Sequence, residues 1–521
     1  HAAYDTPECA MLRDRNNTSV TIFGMQTAFT KPERFELCPP DDADCILAGM
    51  EVRWFDMQQA AEDHYDRTSS CEFVTFIGYE YTATPDTTNM HRNVLFRNEQ
   101  VPRRPPSYFE ETSPYSLWRN LKKGCIEGMK GCDVMTIPHN SNLSNGTMFT
   151  PAYDGAENTE QKREAARLRA EMEPIAEIFQ HKGSMECRNG LSGIGGENDP
   201  LCDFEKQRPP EAEDCGDGTG QGGMRLGGCV SRLDFLRNVL KRGLKEEAAI
   251  GVNPFKLGLM ASTDTHNAIP GYVPEDAYMG HIGTVDDSPE KRLGPSTMTH
   301  DTYINNPGGL TAVWAEEKSR DSIFRALRRR EVYGTSGPRI LLRFFGGWGY
   351  PDDLCDDALW LETADSGGVP MGADLEPMPE GASKPTFFIW SEADPGTENH
   401  PSVPLQQLQI IKGWLDADDK VHEKVYTVAG AADNGADVDL ETCTPQGDGF
   451  DSLCTVWTDP DFNAQQPAFY YVRAVENPVC RWTTWECLRL DPAERPAICN
   501  SSEIPKTVQE RAWSSPIWYT P

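Results

Sequence analysis

The segment Leu257–Asn267 reads Leu-Gly-Leu-Met-Ala-Ser-Thr-Asp-Thr-His-Asn, and it predicts the fold of the first part of the chain. Its apolar run, Leu257–Ala261, is short and continuous, as in a buried strand of a parallel sheet. Residues two apart on a strand point to the same side, so Asp264 and His266 would face one point. A carboxylate and an imidazole so placed are ligands for a divalent metal. Alone, the motif has an equally good ordinary interpretation, in which Asp264 caps a turn beside a surface histidine.

Three further apolar runs end in side chains of the same kind. They are Glu72–Glu80, Cys132–His139 and Pro174–His181. Helical patterns separate several of these runs, at Ser116–Lys123, Thr159–Glu173 and Ser231–Glu247. Alternating strands and helices predict a parallel sheet, which we expect to close into a barrel. The carboxyl ends of barrel strands meet at one face, so these side chains would converge there.

The converging set is Glu80, His139, His181, Asp264 and His266. It holds oxygen and nitrogen donors without a thiolate, which suits a cluster of two or three Zn, Mn or Fe ions. A lone buried histidine is more often a core residue than a ligand. Three of the ten histidines lie at predicted strand ends, however, and this favours a metal site over chance. A purely structural site would instead prefer a closed shell rich in cysteine.

The length and charge of the chain exclude some classes of function. The 521 residues predict a large domain plus a second one. The net charge of −32 comes from 49 basic and 81 acidic residues, so nucleic acid and anionic membranes would be repelled. A solvated acidic surface is the ordinary interpretation of this charge. Apolar runs stay well below the roughly 18 residues that a membrane span requires.

The 16 cysteines are scattered and do not form paired Cys-x-x-Cys motifs. Disulfide bonds in an oxidising compartment explain them better than a zinc ribbon does, which predicts a periplasmic or secreted protein. Residues 188–228 are dense in Gly, Pro, Asp and Cys, and they predict a disulfide-rich insertion. Spacing alone leaves the connectivity of the disulfides open.

The pattern changes near Arg339, where short strands separated by Pro, Gly and Asp loops begin. We therefore predict a metal-binding domain over residues 1–340 and an all-β, sandwich-like domain over residues 341–521. The segment Tyr333–Gly337 lies at this change. Its Gly-Thr-Ser-Gly would fit a phosphate loop, but a glycine stop at a helix end is the more ordinary interpretation.

These motifs resemble those of the PHP domain, named for polymerase and histidinol phosphatase. The shared pattern is a Glu at one strand end, a His after Ile-Pro, a His at the next strand end and a final Asp-x-His. A bacterial PHP-like family, catalogued as a domain of unknown function, is more similar still. That closer likeness rests on Gly78–Tyr81, Thr136–Ser144, Gln180–Gly183, Ser262–Asn267, Tyr333–Gly337 and Ser514–Tyr519.

The resemblance implies a distorted (β/α)7-type barrel that holds up to three metals and hydrolyses phosphoesters. Glu80 would bridge two metals, with His139, His181, Asp264 and His266 as further ligands. PHP domains also open with a His-x-His strand, and this chain lacks one; His1 resembles the histidine of their second motif. We therefore expect roughly a hundred residues to precede His1 in the complete protein, on the same chain or as a separate fragment that completes the barrel.

The expected reaction is metal-assisted hydrolysis of a small-molecule ester, in which the ions activate the attacking water. Lys182 or Arg92 would stabilise the developing charge, and His91 or His281 would serve as the general acid. Both histidines also have an ordinary interpretation as loop residues. Two alternatives stay open: a non-catalytic, metal-stabilised binding or structural protein of the cell exterior, and a hydrolase of sulfate ester, amide or lactone bonds. A homo-oligomer is compatible with either.

Overall fold

A computed structural model describes residues 10, 13, 24, 28–33, 43–191, 198–283, 285–295 and 302–521, with only the backbone for 43–50. The α-helices described are α1 Ala43–His64, α2 Pro114–Leu121, α3 Thr159–Met172, α4 Leu236–Ile250, α5 Pro289–Arg292, α6 Arg320–Arg329, α7 Trp360–Ser366 and α8 Trp482–Arg489. The first eight strands are β1 Ile77–Tyr81, β2 Arg92–Phe96, β3 Val134–Pro138, β4 Ile175–Gln180, β5 Gly183–Ser184, β6 Gly258–Ala261, β7 Leu310–Val313 and β8 Val332–Thr335. The others are β9 Leu341–Gly347, β10 Gly368–Pro370, β11 Thr386–Glu392, β12 Leu405–Leu415, β13 Val421–Gly430, β14 Asp437–Asp439, β15 Thr444–Gln446, β16 Ser452–Thr458, β17 Ala468–Glu476, β18 Val479–Cys480, β19 Thr507–Val508, β20 Arg511–Ser514 and β21 Ile517–Tyr519.

Strands β1, β2 and β3 form a three-stranded sheet in that order, and β2 runs antiparallel to both neighbours. Tyr81 pairs with Arg92, and Arg92 pairs with Pro138. The ends of β1 and β3 and the start of β2 therefore lie at one edge of the sheet. The predicted strands over 72–80 and 132–139 are thus present in shorter form, joined by an antiparallel hairpin strand.

Strands β4 and β6 pair in parallel, with Ile175 opposite Gly258 and Ala176 opposite Leu259. The end of β3 lies beside β4. The backbone N–H of Asn140, just after β3, donates to the carboxylate of Glu177 in β4 at 2.6 Å. The apolar residues of both strands are buried, as the continuous apolar runs predict. Polar residues following β3, β4 and β6 are therefore brought to one place.

Two larger sheets contain most of the remaining strands. One has the order β13-β12-β17-β20-β8-β7, with β21 added to β17, and the other has the order β10-β9-β11-β16. They share a core that includes Phe344, Phe387, Ile410 and Tyr470. Since β7 and β8 belong to the first of these sheets, it crosses residue 340, where we placed the boundary between the two domains.

Six disulfide bonds lie within the described part of the chain. They are Cys125–Cys132, Cys187–Cys202, Cys215–Cys229, Cys355–Cys454, Cys443–Cys480 and Cys487–Cys499. The prediction that the cysteines form disulfides is confirmed for these twelve residues, and two of the bonds hold the segment predicted as an insertion. Of the helices described, none combines the length and the apolar character needed to cross a membrane.

The predicted mixture of α and β structure is confirmed, but two finer predictions are not. Between 43 and 521, within the described residues, the strands form several separate sheets and no closed barrel. The part of the chain predicted to be all-β also contains α7 and α8. Trp482 and Cys487 of α8 are buried, although the Trp-Glu-Cys-Leu-Arg segment lacks the long apolar repeat by which helices are found in a sequence.

Candidate metal centre

Glu80, His91 and His139 come together at the shared edge of the first sheet. Glu80 is in β1, His91 immediately precedes β2, and His139 immediately follows β3. One potential ligand atom from each residue lies within 4.8 Å of the corresponding atoms of the other two. The antiparallel register is the cause, because it returns the chain to the end of β1 just before β2 begins.

His91 is held on both sides of its ring. Its Nδ1 donates to Oε1 of Glu80 at 2.9 Å, and its Nε2 lies 3.0 Å from the Thr84 hydroxyl. The Thr82 hydroxyl donates to the same Glu80 oxygen at 2.9 Å. His139 differs: it is 2% exposed, and neither of its ring nitrogens has a hydrogen-bond partner among the described residues.

Burial and hydrogen bonding act in opposite directions on the pKa of Glu80. Burial raises it, but the hydrogen bond and charge of His91 lower it more, to about 2. Burial lowers the pKa of His91, against the effect of Glu80. In this pair, burial opposes the charged form of each side chain, and the hydrogen bond between them favours it.

A second group of side chains follows β4 and β6. The Lys182 ammonium contacts the Asp264 carboxylate, and His181 Nε2 lies 3.5 Å from Asp264 Oδ2. Asp264 adopts a positive φ of 50°, which is uncommon for a non-glycine residue and marks a constrained position. Burial raises the pKa of Asp264, but Lys182, His181 and His139 together hold it well below its ordinary value.

His266 and His281 extend this second group. The rings of His181 and His281 are stacked with their centroids 3.6 Å apart, and the His266 ring meets His281 edge-on at 4.8 Å. The backbone N–H of His266 donates to the His281 carbonyl at 2.7 Å. Burial, followed by the charges of His181 and Lys182, keeps the pKa of His281 well below its ordinary value. This shift disfavours the protonated form that a general acid needs.

Glu177 and Gln180 connect the two groups, and neither was among the predicted site residues. The Gln180 amide donates to Glu177 Oε2 at 3.0 Å and to Asp264 Oδ2 at 2.9 Å. Glu177 also receives the Asn140 N–H next to His139 and contacts the Ser262 hydroxyl. Glu80 and Asp264 influence each other electrostatically, as do His139 and Asp264. The two groups therefore form a single polar centre.

Most of the predicted site residues lie in this centre, but two do not. His1 lies outside the described residues. The Arg92 guanidinium is buried, and it pairs with Glu173 at 2.6 Å and donates to the Met90 carbonyl at 2.6 Å. Neighbouring residues on a strand point to opposite faces, so His91 reaches the centre and Arg92 does not. The contacts of Arg92 thus fit a role in packing.

The donor set of Glu80, His91 and His139 suits a divalent metal. It combines imidazole nitrogens with carboxylate oxygens, and the two buried ring nitrogens of His139 are costly without a partner. Cys187, Asp199 and Cys202 also lie close together, but the two cysteines form a disulfide and Asp199 pairs with Arg237 and Arg473. The set of Cys187, Asp199 and Cys202 therefore has no free donor of the kind that a metal requires.

Comparison with known proteins identifies one family. No curated protein and no solved structure matches the chain. Residues 4–521 match the family described as a protein of unknown function (DUF3604). This match covers the whole polar centre and both large sheets, so the chain belongs to the DUF3604 family.

Proposed function

We propose that the protein is a metal-dependent hydrolase and that its substrates are phosphoesters. The observation that carries this proposal is the convergence of Glu80, His91 and His139, in which His139 keeps two buried ring nitrogens without a described partner. The two ring nitrogens of His139 are costly to bury without a partner, and a cation bound between these side chains would compensate that cost.

The proposed ligands are Glu80, His91 and His139 in the first group and His181, Asp264 and His266 in the second. Divalent ions at these positions would act as Lewis acids and would supply hydroxide at neutral pH. Gln180 and Glu177 would orient the ligands, because their hydrogen bonds connect Asp264 to the backbone beside His139. In this proposal His91 is a metal ligand, whereas the sequence analysis suggested it as a general acid.

Lys182 supports an anionic substrate. It is 8% exposed, and its ammonium contacts Asp264 and lies 3.2 Å from the Gln180 side-chain oxygen. A cation in this position would bind a phosphoryl oxygen and stabilise the charge that develops there. Amide and lactone groups are neutral before the reaction, so a cation that binds the bound substrate favours a phosphate or sulfate ester over both.

A relationship to PHP hydrolases belongs to the same proposal. The order of Glu80, His139, His181 and Asp264-x-His266 along the chain supports it, together with the parallel pairing of β4 and β6. Six disulfides support a periplasmic or secreted location, because such bonds persist in oxidising compartments.

Metal analysis and a generic substrate test the proposal. We expect the purified protein to contain Zn, Mn or Fe, and to hydrolyse p-nitrophenyl phosphate with a loss of activity in a chelator and recovery on adding the metal. The double variant Asp264→Ala, His266→Ala should lose both metal and turnover. The matched control is His422→Ala, which removes a histidine that pairs with Asp416 in the β12–β13 region.

Three outcomes have distinct meanings. Full turnover by the chelator-treated protein, or by the double variant, would contradict a metal-dependent reaction. Bound metal without turnover of phosphate or sulfate esters would instead favour the non-catalytic, metal-stabilised protein. Turnover of p-nitrophenyl sulfate alone would keep the hydrolase and replace the phosphoester.

A further inference from the structure

An ion pair connects the segment that carries His281 to helix α8, which lies more than 190 residues further along the chain. Arg292 forms a bidentate pair with Glu486 of α8, with its Nε at 3.0 Å and its Nη2 at 3.1 Å from the two carboxylate oxygens. Both side chains are nearly buried, at 11% and 10% exposure. Buried bidentate pairs are geometrically specific, so this contact fixes the position of Arg292.

Hydrogen bonds lead from this pair to the metal centre without a break. Arg292 Nη1 donates to the Asp286 carbonyl at 3.2 Å. The Asp286 carboxylate receives the backbone N–H groups of His281 at 2.5 Å and Ile282 at 2.8 Å. The His281 carbonyl then receives the N–H of His266 at 2.7 Å. We call Glu486, Arg292 and Asp286 the α8 relay.

Helix α8 also holds the other side of the centre. The Trp482 indole donates to the Asn305 carbonyl at 2.8 Å, and its ring packs against Tyr278 with the centroids 4.6 Å apart. Asn306, the next residue, donates from its backbone and its side chain to the His181 carbonyl, at 3.1 and 3.0 Å. Both members of the stacked pair His181–His281 are thus positioned from the same helix.

We propose that Glu486 and Arg292 are positioning residues of the metal centre and that His281 is a further residue of that centre. The Nδ1 of His281 is buried and has no hydrogen-bond partner among the described residues, while its ring lies against His181. Asp286 fixes the backbone of His281 through two hydrogen bonds, and the His181 ring packs against its imidazole. Together these contacts position the His281 ring. The inference rests on the proposed metal site and is independent of the proposed reaction.

The test compares two buried ion pairs in the full-length protein. Glu486→Gln weakens the pair with Arg292 while keeping the size of the side chain. The control is Asp459→Asn, which weakens the buried pair between Asp459 and Lys412 at 2.6 Å in a sheet that holds no residue of the relay. Both variants should lower the melting temperature. Only Glu486→Gln should weaken the binding of Zn²⁺, measured by competition with a chromophoric chelator, by about tenfold or more.

A double-mutant cycle with His281→Ala separates positioning from general damage. If Glu486 acts on the bound metal through the His281 ring, the double variant should bind Zn²⁺ as weakly as His281→Ala alone. Hydrogen exchange of the peptide 275–286 gives a measurement that needs no metal, and Glu486→Gln should accelerate exchange there by about tenfold. Asp459→Asn should leave this peptide unchanged.

Additive effects of the two substitutions on zinc affinity would overturn the inference. So would equal effects of Glu486→Gln and Asp459→Asn on both zinc affinity and exchange. If the native protein binds no Zn²⁺ at all, the metal proposal fails, and the exchange experiment alone decides whether the relay positions His281.

Discussion

The Nδ1 of His91 donates a hydrogen bond to Oε1 of Glu80 at 2.9 Å, across the antiparallel pair of β1 and β2. This contact joins two residues of the candidate site. It lowers the pKa of the Glu80 carboxyl, whose oxygen lies within 4.8 Å of a His139 ring nitrogen.

The first prediction concerns Glu80. We expect Glu80→Gln to reduce the affinity for Zn²⁺ by at least tenfold, because an amide oxygen is a much weaker ligand than a carboxylate, although it can still accept from His91. Chelator competition measures the change. Glu51→Gln, at a half-buried glutamate that pairs with two surface arginines, is the matched control and should bind as the native protein does. Unchanged zinc affinity in Glu80→Gln would remove Glu80 from the ligand set.

The second prediction separates stability from metal binding at His139. Two buried ring nitrogens without a described partner cost on the order of 1–3 kcal/mol each in the metal-stripped protein. We therefore expect stripped His139→Leu to be at least as stable as the stripped native protein. Zinc should raise the melting temperature of the native protein and leave that of the variant unchanged. A large loss of stability in stripped His139→Leu would show that this histidine serves the core instead.

The third prediction concerns Lys182, whose ammonium contacts Asp264. Lys182→Met should lower kcat for p-nitrophenyl phosphate by about a hundredfold, since a preorganised charge near the reacting oxygen is lost. The metal content should remain, because Lys182 is not a ligand. Lys256→Met, which removes a surface lysine paired with Asp374, controls for the loss of charge. A variant with native kcat would exclude Lys182 from contact with the substrate.

The fourth prediction is a dependence of stability on pH that arises at Glu510. Burial raises the pKa of Glu510, and despite a hydrogen bond from Ser336 the nearby Glu476 and Glu205 keep it at about 8. In the unfolded chain the same carboxyl titrates near about 4.3. The folded protein therefore binds more protons than the unfolded chain between these values. This contribution to stability is complete below about pH 4 and is lost as the pH rises to about 8.

Replacing the carboxyl removes that contribution. We expect Glu510→Gln to gain stability relative to the native protein as the pH rises from about 5 to about 8, measured as the free energy of unfolding in urea. The Gln side chain can still accept from Ser336, so the fold should be kept. Two curves that stay parallel across this range would show that Glu510 ionises normally.

Much of the centre could be predicted from the sequence because its residues follow buried strands. Apolar runs of five or six residues identify β3, β4 and β6, and the polar residues after them are the site residues His139, His181 and Asp264. This inference needs only the period of a strand and the rule that parallel strand ends meet. The predicted helices over 116–123 and 159–173 correspond to α2 and α3, within two residues at each end.

The remaining parts depend on contacts between distant segments. His91 joins Glu80 only because β2 folds back in an antiparallel register, and the same register turns Arg92 toward Glu173. Glu177 appears in the sequence as one charged residue within an apolar strand. Its role becomes visible only when the end of β3 places Asn140 beside it. No local pattern contains that information.

The pairing of β8 with β20 has a consequence for how the protein acquires its structure. Tyr333 lies opposite Ser514, and β20 in turn pairs with β17. Such distant pairing is entropically expensive, so we expect this sheet to assemble slowly and late during refolding. Four of the disulfides join cysteines only 7 to 15 residues apart, and these local loops can close well before that sheet exists. We therefore expect oxidation to precede completion of this sheet, and protein produced in a reducing cytosol to aggregate during this slow step.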